Sequence, residues 1–456
     1  MSSQVLREEP QEFRLGQALI GWTTLVLVLL SVLALGANRP VSWTLLSMAV
    51  LVLFILQILL DALTGVHSRA GRIWPWALAY FAVLAWGYVQ IAPDLMPGLA
   101  HPIWAIVPDA PTTISADPLG GQHHVMRLAM YGMVFWIIAR AAITVDRALL
   151  FLKLFAVFCT ALAAFGLFSW ATGNNVILGE DAQPALSASF VNRNSYATFA
   201  AFGAIANVAL YLQLAEDRSV NDGPAGKRLR DFIEGFYGGG WIFVVGILLC
   251  LGSIFISASR AGSAAAILGI AAFLVVNTRG ENSRNPLVLG MIGAIFLFAI
   301  FALSSGLLNR LLATSEEDGR FQIYGEVFQG IFDRPLLGHG LGAFHDTFRA
   351  RVPLDAANVE WNLAHSSYLE NFYELGLPAA ALLYLSLFGI GAVILRGCIQ
   401  RRRHRIFAAV AFGVLVAGAF HSFFDFSLQM PATAATFAAL LGIGWAQAFR
   451  RERTRR

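Results

Sequence analysis

Charge is scarce in this chain, and lysine is the scarcest of the charged residues. Asp, Glu, Lys and Arg make up 13% of 456 residues, against 57% hydrophobic. A soluble domain carries roughly twice that share of charge, which excludes a soluble enzyme or binding module. Of 32 Lys and Arg residues only Lys153 and Lys227 are lysine, so nearly all positive charge is arginine. Cysteine is almost absent. Cys159 and Cys250 fall in apolar runs and Cys398 in a basic stretch, and neither a disulfide framework nor a metal spacing follows from them. A cleaved signal is also missing: the polar start up to Arg14 leads into an apolar run too long for a removed signal peptide. The net charge of +4 raises nucleic acid as a partner. The basic residues lie in short segments between apolar runs, however, where they orient a chain in a bilayer, and no nucleic-acid partner is expected.

What the chain has in abundance is apolar runs of ~20 residues, each long enough to cross a hydrocarbon core of ~30 Å. Twelve are expected, near 17–36, 41–60, 73–92, 127–145, 148–171, 192–214, 239–257, 261–278, 286–306, 372–396, 406–421 and 431–449. The fold class is an all-α polytopic membrane protein of about 12 transmembrane helices. A helical cap is expected between the ninth and tenth spans. With the N-terminus in the cytoplasm, each inward connection is basic: Arg69 and Arg72; Arg140 and Arg147; Lys227, Arg228 and Arg230; Arg279 and Arg284; Arg401, Arg402, Arg403 and Arg405; and the tail from Arg450. Inverting the topology would export nearly all of these. Two outward connections are long, Pro93–Met126 and Leu307–Asn371. The second has helical patterning around 320–332 and 365–375, split by a turn at Gly338-His339-Gly340, and is expected to fold as a cap.

Four outward stretches concentrate the unusual residues. They are Phe190-Val191-Asn192-Arg193-Asn194-Ser195-Tyr196; Ser257-Ala258-Ser259-Arg260-Ala261-Gly262; Gly319-Arg320-Phe321-Gln322-Ile323-Tyr324 with Arg334-Pro335-Leu336-Leu337-Gly338-His339-Gly340; and His365-Ser366-Ser367-Tyr368-Leu369-Glu370-Asn371. Arginine on the outer face runs against the usual charge bias and asks for an anionic ligand there. In order and spacing these stretches, with a later His421-Ser422-x-x-Asp425 and Pro431, resemble the O-antigen ligase and polymerase family of bacterial membrane glycosyltransferases. The resemblance covers roughly residues 185–435; the preceding spans, 1–184, match only generically, and 436–456 hold the last span end and a basic tail.

The resemblance implies an enzyme of the bacterial inner membrane with its site facing the periplasm. It would move a glycan from an undecaprenyl-diphosphate carrier to an acceptor hydroxyl, on a second lipid-linked repeat, on lipid A-core, or on a protein, in company with polysaccharide-assembly proteins. By motif position the functional arginines and histidine of the family fall on Arg260, Arg320 and His365. Chemistry agrees: a leaving diphosphate gains negative charge that guanidinium forks can bind bidentately, and a histidine can take the acceptor proton at neutral pH. Arg193, Asn192, Asn194, Ser259 and Tyr368 complete the set as candidate substrate-binding residues. No cofactor and no metal is called for, the acidic run Glu316-Glu317-Asp318 being read as solvated.

Plainer readings stand beside these. Arg260 can snorkel to headgroups, Arg320 can pair with Glu316 or Glu317, and Arg193 and the asparagines can cap a helix. His421 and Asp425, one helical turn apart, are expected to pair with each other, and His123 and His124 to lie exposed in the first long loop. A transporter of an anion or lipid-linked sugar is the competing class, and the near absence of charge inside the spans argues against it.

Overall fold

The computed structural model describes residues 11–64, 72–107, 109, 112–174, 185–218, 239–278, 315–356, 360–401 and 404–449. Among them are fourteen α-helices and no strand. The bundle helices are α1 (Gln11–Leu33), α2 (Pro40–Thr64), α3 (Trp74–Ile91), α4 (Pro118–Ala141), α5 (Val145–Ala171), α6 (Arg193–Arg218), α7 (Trp241–Ile256) and α8 (Arg260–Asn277). Then come α9 (Ser315–Ile331), α10 (Phe344–Phe348) and α11 (Ser367–Leu375), followed by α12 (Leu377–Gln400), α13 (Ile406–His421) and α14 (Pro431–Ala448). The expected span at 286–306 lies outside the described residues, that at 372–396 is broken at Gly376 into two helices, and each of the others falls on a helix. Six of these helices are long and apolar enough to cross a membrane, and α7 and α13 are shorter apolar helices.

Local sequence explains where the helices begin. Proline occupies the first turn of α2, α3, α4, α12 and α14, where its missing N–H would be unpaired anyway. Asp117, Thr144, Asn192 and Ser259 cap α4, α5, α6 and α8 by accepting from backbone N–H groups of the first turn. Because α4 starts at Pro118, nine residues before the expected span, His123 and His124 are helical rather than in a loop. His123 packs edge-on against Trp43, and His124 lies 2.8 Å from the Arg127 guanidinium.

The centre is built from α6 and α14. In α6, 89% of the apolar window is buried. Small residues let neighbouring backbones approach, as membrane packing requires without a hydrophobic drive between helices. A Cβ on Gly269 of α8 would meet the Gly413 carbonyl of α13 at 2.9 Å, and one on Gly262 would meet Ala197 of α6 at 2.4 Å.

Contacts between helix ends sort into two groups, as alternating spans demand. At one end, Arg140 on α4 donates to Asp61 on α2 at 3.0 Å through Nε, and Gln447 on α14 donates to the Ala142 carbonyl at 2.7 Å. Arg401, just past α12, donates to the Gln447 carbonyl. At the other end lie the α6 and α8 N-termini, the α13–α14 junction and the cap.

The cap joins both long loops. Its own core contains Ile323, Val327, Phe344, Phe348, Trp361 and Tyr373. The helical stretches and the intervening turn fall where the sequence places them. Gly338 and Gly340 have φ of +70° and +109°, and a Cβ on either would strike Glu374 or Ser115 at 2.1 Å, so the turn requires glycine. The first long loop docks on this turn: Ala116 N–H donates to the His339 carbonyl, and Arg334 donates to the Leu99 and Ala100 carbonyls. His101 Nε2 sits 3.2 Å from His339 Nδ1, and His339 stacks on Tyr373.

Candidate active site

The site gathers around a carboxylate that lies far from the other candidates in sequence. Asp425 is fully buried in the turn between α13 and α14. Its Oδ1 accepts the Phe426 N–H at 2.7 Å and lies 3.6 Å from His365 Nδ1, an ion-pair rather than a hydrogen-bond distance. Its Oδ2 accepts from the Asn194 side chain, at the start of α6. Burial pushes this carboxyl up, but the His365 contact, the nearby His421 and the Phe426 N–H outweigh it, and the group is held below the ordinary carboxylate range. Asp425 is therefore an anion at neutral pH.

His365 stands just ahead of α11 with its side chain 21% exposed. The ring lies against Phe426, with Trp361 edge-on. Facing Nδ1 to a carboxylate favours the proton there and leaves the Nε2 lone pair open, the arrangement that makes an imidazole a directed base. The backbone at His365 is left-handed, φ +52°, which for a residue with a Cβ costs about 1–2 kcal/mol. The base of α11 is fastened to the bundle: Ser367 N–H donates to the Ser422 carbonyl at 2.9 Å, and Ser367 Oγ to the Asp425 carbonyl at 3.1 Å.

The other candidates divide. Arg193 is the exposed first residue of α6, one residue before Asn194. Asn192 caps that helix, its Oδ1 accepting the Asn194 N–H at 2.7 Å. Arg260 is the half-buried first residue of α8, and the Gly262–Ala197 approach holds this bend against the opening turns of α6. Ser259 caps α8 by accepting the Gly262 N–H. Arg320 lies in α9, one turn before Tyr324, whose hydroxyl donates to the His365 carbonyl at 2.8 Å. Tyr368 packs on Phe423 and Tyr384 and donates to the Ala419 carbonyl. The α6, α8 and α11 N-termini thus meet at one end of the bundle, and the partial positive charge of each suits an anion.

His421 and Asp425 stay close: the Asp425 N–H donates to the His421 carbonyl at 3.0 Å, and His421 helps to hold the Asp425 carboxyl down. Helix α13 ends at His421 and the chain turns, so His421 Nδ1 meets Ser427 Oγ at 2.9 Å while Asp425 faces His365. Sequence reasoning also passed over Glu370 and Glu374. Both are buried on α11, accepting from the Ala364 and Phe344 N–H groups respectively. Burial pushes both carboxyls up, Glu370 well above its usual range and Glu374 to about 7. Their spacing, four residues apart on one short helix, was the available signal.

Beside this end opens a cavity of about 650 Å³, walled by apolar side chains such as Trp76, Tyr80, Leu383 and Phe437. Ser367, Tyr368 and Glu370 reach its lining from α11, so the cavity adjoins the segment that carries His365.

Residues 245–384 match the O-antigen ligase family. This is a family of glycosyltransferase-type enzymes, and it implies lipid-linked glycan substrates. The matched segment, roughly a third of the chain, runs from α7 through the cap into α12 and includes Arg260, Arg320, His365 and Tyr368. Arg193, Asn194 and Asp425 lie outside it. Comparison with curated proteins finds no match.

Proposed function

We propose that this protein transfers a glycan from undecaprenyl diphosphate to an acceptor hydroxyl at the periplasmic face of the bacterial inner membrane. The observation that carries the reading is the His365–Asp425 pair at the end of the bundle where arginine-bearing helix N-termini meet. The acceptor O–H gives its proton to His365 Nε2, and its oxygen attacks the anomeric carbon. The bond from that carbon to the diphosphate oxygen breaks, and its electron pair leaves with undecaprenyl diphosphate. Arg260 and Arg320 stabilise the charge that develops there. Asp425 stabilises the imidazolium for the lifetime of the step, and Arg193 and Asn194 border the substrate. Direct displacement of this kind inverts the anomeric centre. The apolar cavity beside α11 supports a lipid-borne substrate.

Of the possible acceptors we favour a second lipid-linked glycan, making the protein a polymerase rather than an O-antigen ligase. A phosphorylated core acceptor calls for a row of open cations on the cap. Arg334 instead binds loop carbonyls, Arg349 pairs with Glu360 and Arg351 with Asp333. Surface glycan from a deletion strain complemented with wild type, Arg260→Ala or His365→Ala separates the alternatives. Single repeats on core in the mutants mean polymerase. Bare core with lipid-linked polymer accumulating means ligase, and normal glycan in both mutants removes the enzyme reading.

A further inference from the structure

The reading of His365 as the base leaves a physical question: what holds a non-glycine residue in a left-handed conformation just ahead of α11. Three contacts surround that one residue. The residue before it is tied by the Ala364 N–H to Glu370 Oε2 at 2.7 Å. The segment after it is tied to the bundle through Ser367 and the Ser422 carbonyl. Its own carbonyl accepts from Tyr324 Oη at 2.8 Å, and Tyr324 comes from a different helix, α9 of the cap. The first two contacts fix where the segment runs. The third fixes the peptide plane between His365 and Ser366, and with it the ψ angle that completes the left-handed conformation.

We infer that Tyr324 is a positioning residue: its hydroxyl holds the His365 peptide in the left-handed conformation that keeps the ring against Asp425. The inference rests on the reading of His365 as the base. It adds a coupling that the base alone does not require. Arg320 and Tyr324 are one turn apart on α9, so the helix that carries the arginine of the cap also carries the group that sets the histidine. Docking of α9 delivers both. Withdrawal of α9 releases the His365 carbonyl, and the backbone then relaxes to conformations with negative φ, in which the ring leaves the carboxylate.

Tyr324→Phe isolates this role, because the ring stays to pack against the cap core of Ile323, Val327 and Trp361 and only the hydroxyl is removed. The full chain in nanodiscs is supplied with a synthetic undecaprenyl-diphosphate-linked oligosaccharide as donor and acceptor, and release of undecaprenyl diphosphate is followed. Wild type, His365→Ala and Tyr324→Phe are compared, each with its melting temperature. A left-handed preference lost at one residue lowers the competent fraction, so kcat falls about tenfold while KM stays within about twofold. The melting temperature stays within about 3 °C, as expected for one surface-cap hydrogen bond. The inference is overturned by a kcat within about twofold of wild type, by a loss carried in KM alone, or by a melting temperature that collapses with the rate. If His365→Ala releases undecaprenyl diphosphate as fast as wild type, the reading of the site fails instead, whatever Tyr324→Phe does.

Discussion

Polar side chains are buried at both ends of the helical bundle, and they are used differently. At the end that holds Arg140, three side chains close on partners within the scaffold: Arg140 on Asp61, Gln447 on the carbonyls that finish α4, Arg401 on the end of α14. These contacts join helix C-termini and have complementary charge or dipole. At the other end Asp425 is just as buried, yet its partners aim a histidine that is partly open and held left-handed. One end uses polarity to lock helices together. The other sets a partly open histidine, with left-handed backbone, beside a buried carboxylate. The difference teaches that a buried charge in a helical bundle can serve either to join helix ends or to face a partly open side chain.

The comparison is broken most sharply by substitutions that affect activity at one end and stability at the other. His365→Ala is expected to lower glycan transfer by about 10²–10⁴-fold with the bundle intact, measured as undecaprenyl diphosphate release against thermal unfolding. Asp425→Asn, which keeps the shape but not the charge, is expected to lower it by about 10²-fold; an active Asp425→Asn would remove the carboxylate from the mechanism. Arg140→Ala should do the reverse. It removes the guanidinium bonds to Asp61, which keeps the Gln57 amide, so stability falls by about 1.5–3 kcal/mol while protein that remains folded retains its turnover. Detergent-resistant folded fraction and specific activity per folded molecule test both halves of that statement.

Smaller effects sharpen the same contrast. Gln447→Leu removes one donor from the Ala142 and Ile143 carbonyls and is expected to cost about 1–3 kcal/mol, with no change in the rate per folded molecule. The smallest effect is local to the cap and depends on pH. Burial, with Arg334 nearby, lowers His101 and His339 to about 4. Unfolded imidazoles titrate near ~6.5, so between that value and about 4 the opened cap binds protons that the closed cap does not. Stability of this contact is full above the higher value and falls as the pH is lowered towards the lower one. Hydrogen-exchange protection at Ala116, whose N–H meets the His339 carbonyl, should therefore drop between pH 7 and pH 5 after correction for intrinsic rates, while α6 stays protected. Equal protection at both pH values would mean that the histidine pair does not control the contact.

Much of this organisation is legible in the residues. Apolar run length gives the helices, and proline and capping residues give their starts, because both act within a few residues of chain. The cap is visible as two helical patterns around a glycine turn. What could not be read is pairing across distance. The closeness of Asp425 and His421 was legible in their spacing of one helical turn, whereas the approach of His365 to the same carboxylate was not. Asn192 was legible as a cap and fills that role, Ser259 caps α8 where the sequence suggests a substrate contact, and the partnership of Asn194 with Asp425 depends on how α6 meets α14. The start of α4 was misplaced because Gly120, Gly121, His123 and His124 dilute the apolar pattern, although Asp117-Pro118 marks the helix start clearly.

The chain order of the site has a consequence for how such a protein is made. His365 is synthesised before α12, but its carboxylate arrives only after α12 and α13 have been threaded into the bilayer. A nascent chain that has exposed its cap therefore carries a histidine with no partner and an α11 with no Ser422 to dock on. The pair is assembled last, when nearly every described helix is in place. A chain that has not yet threaded α13 lacks both the His365–Asp425 contact and the bond from Ser367 to the Ser422 carbonyl.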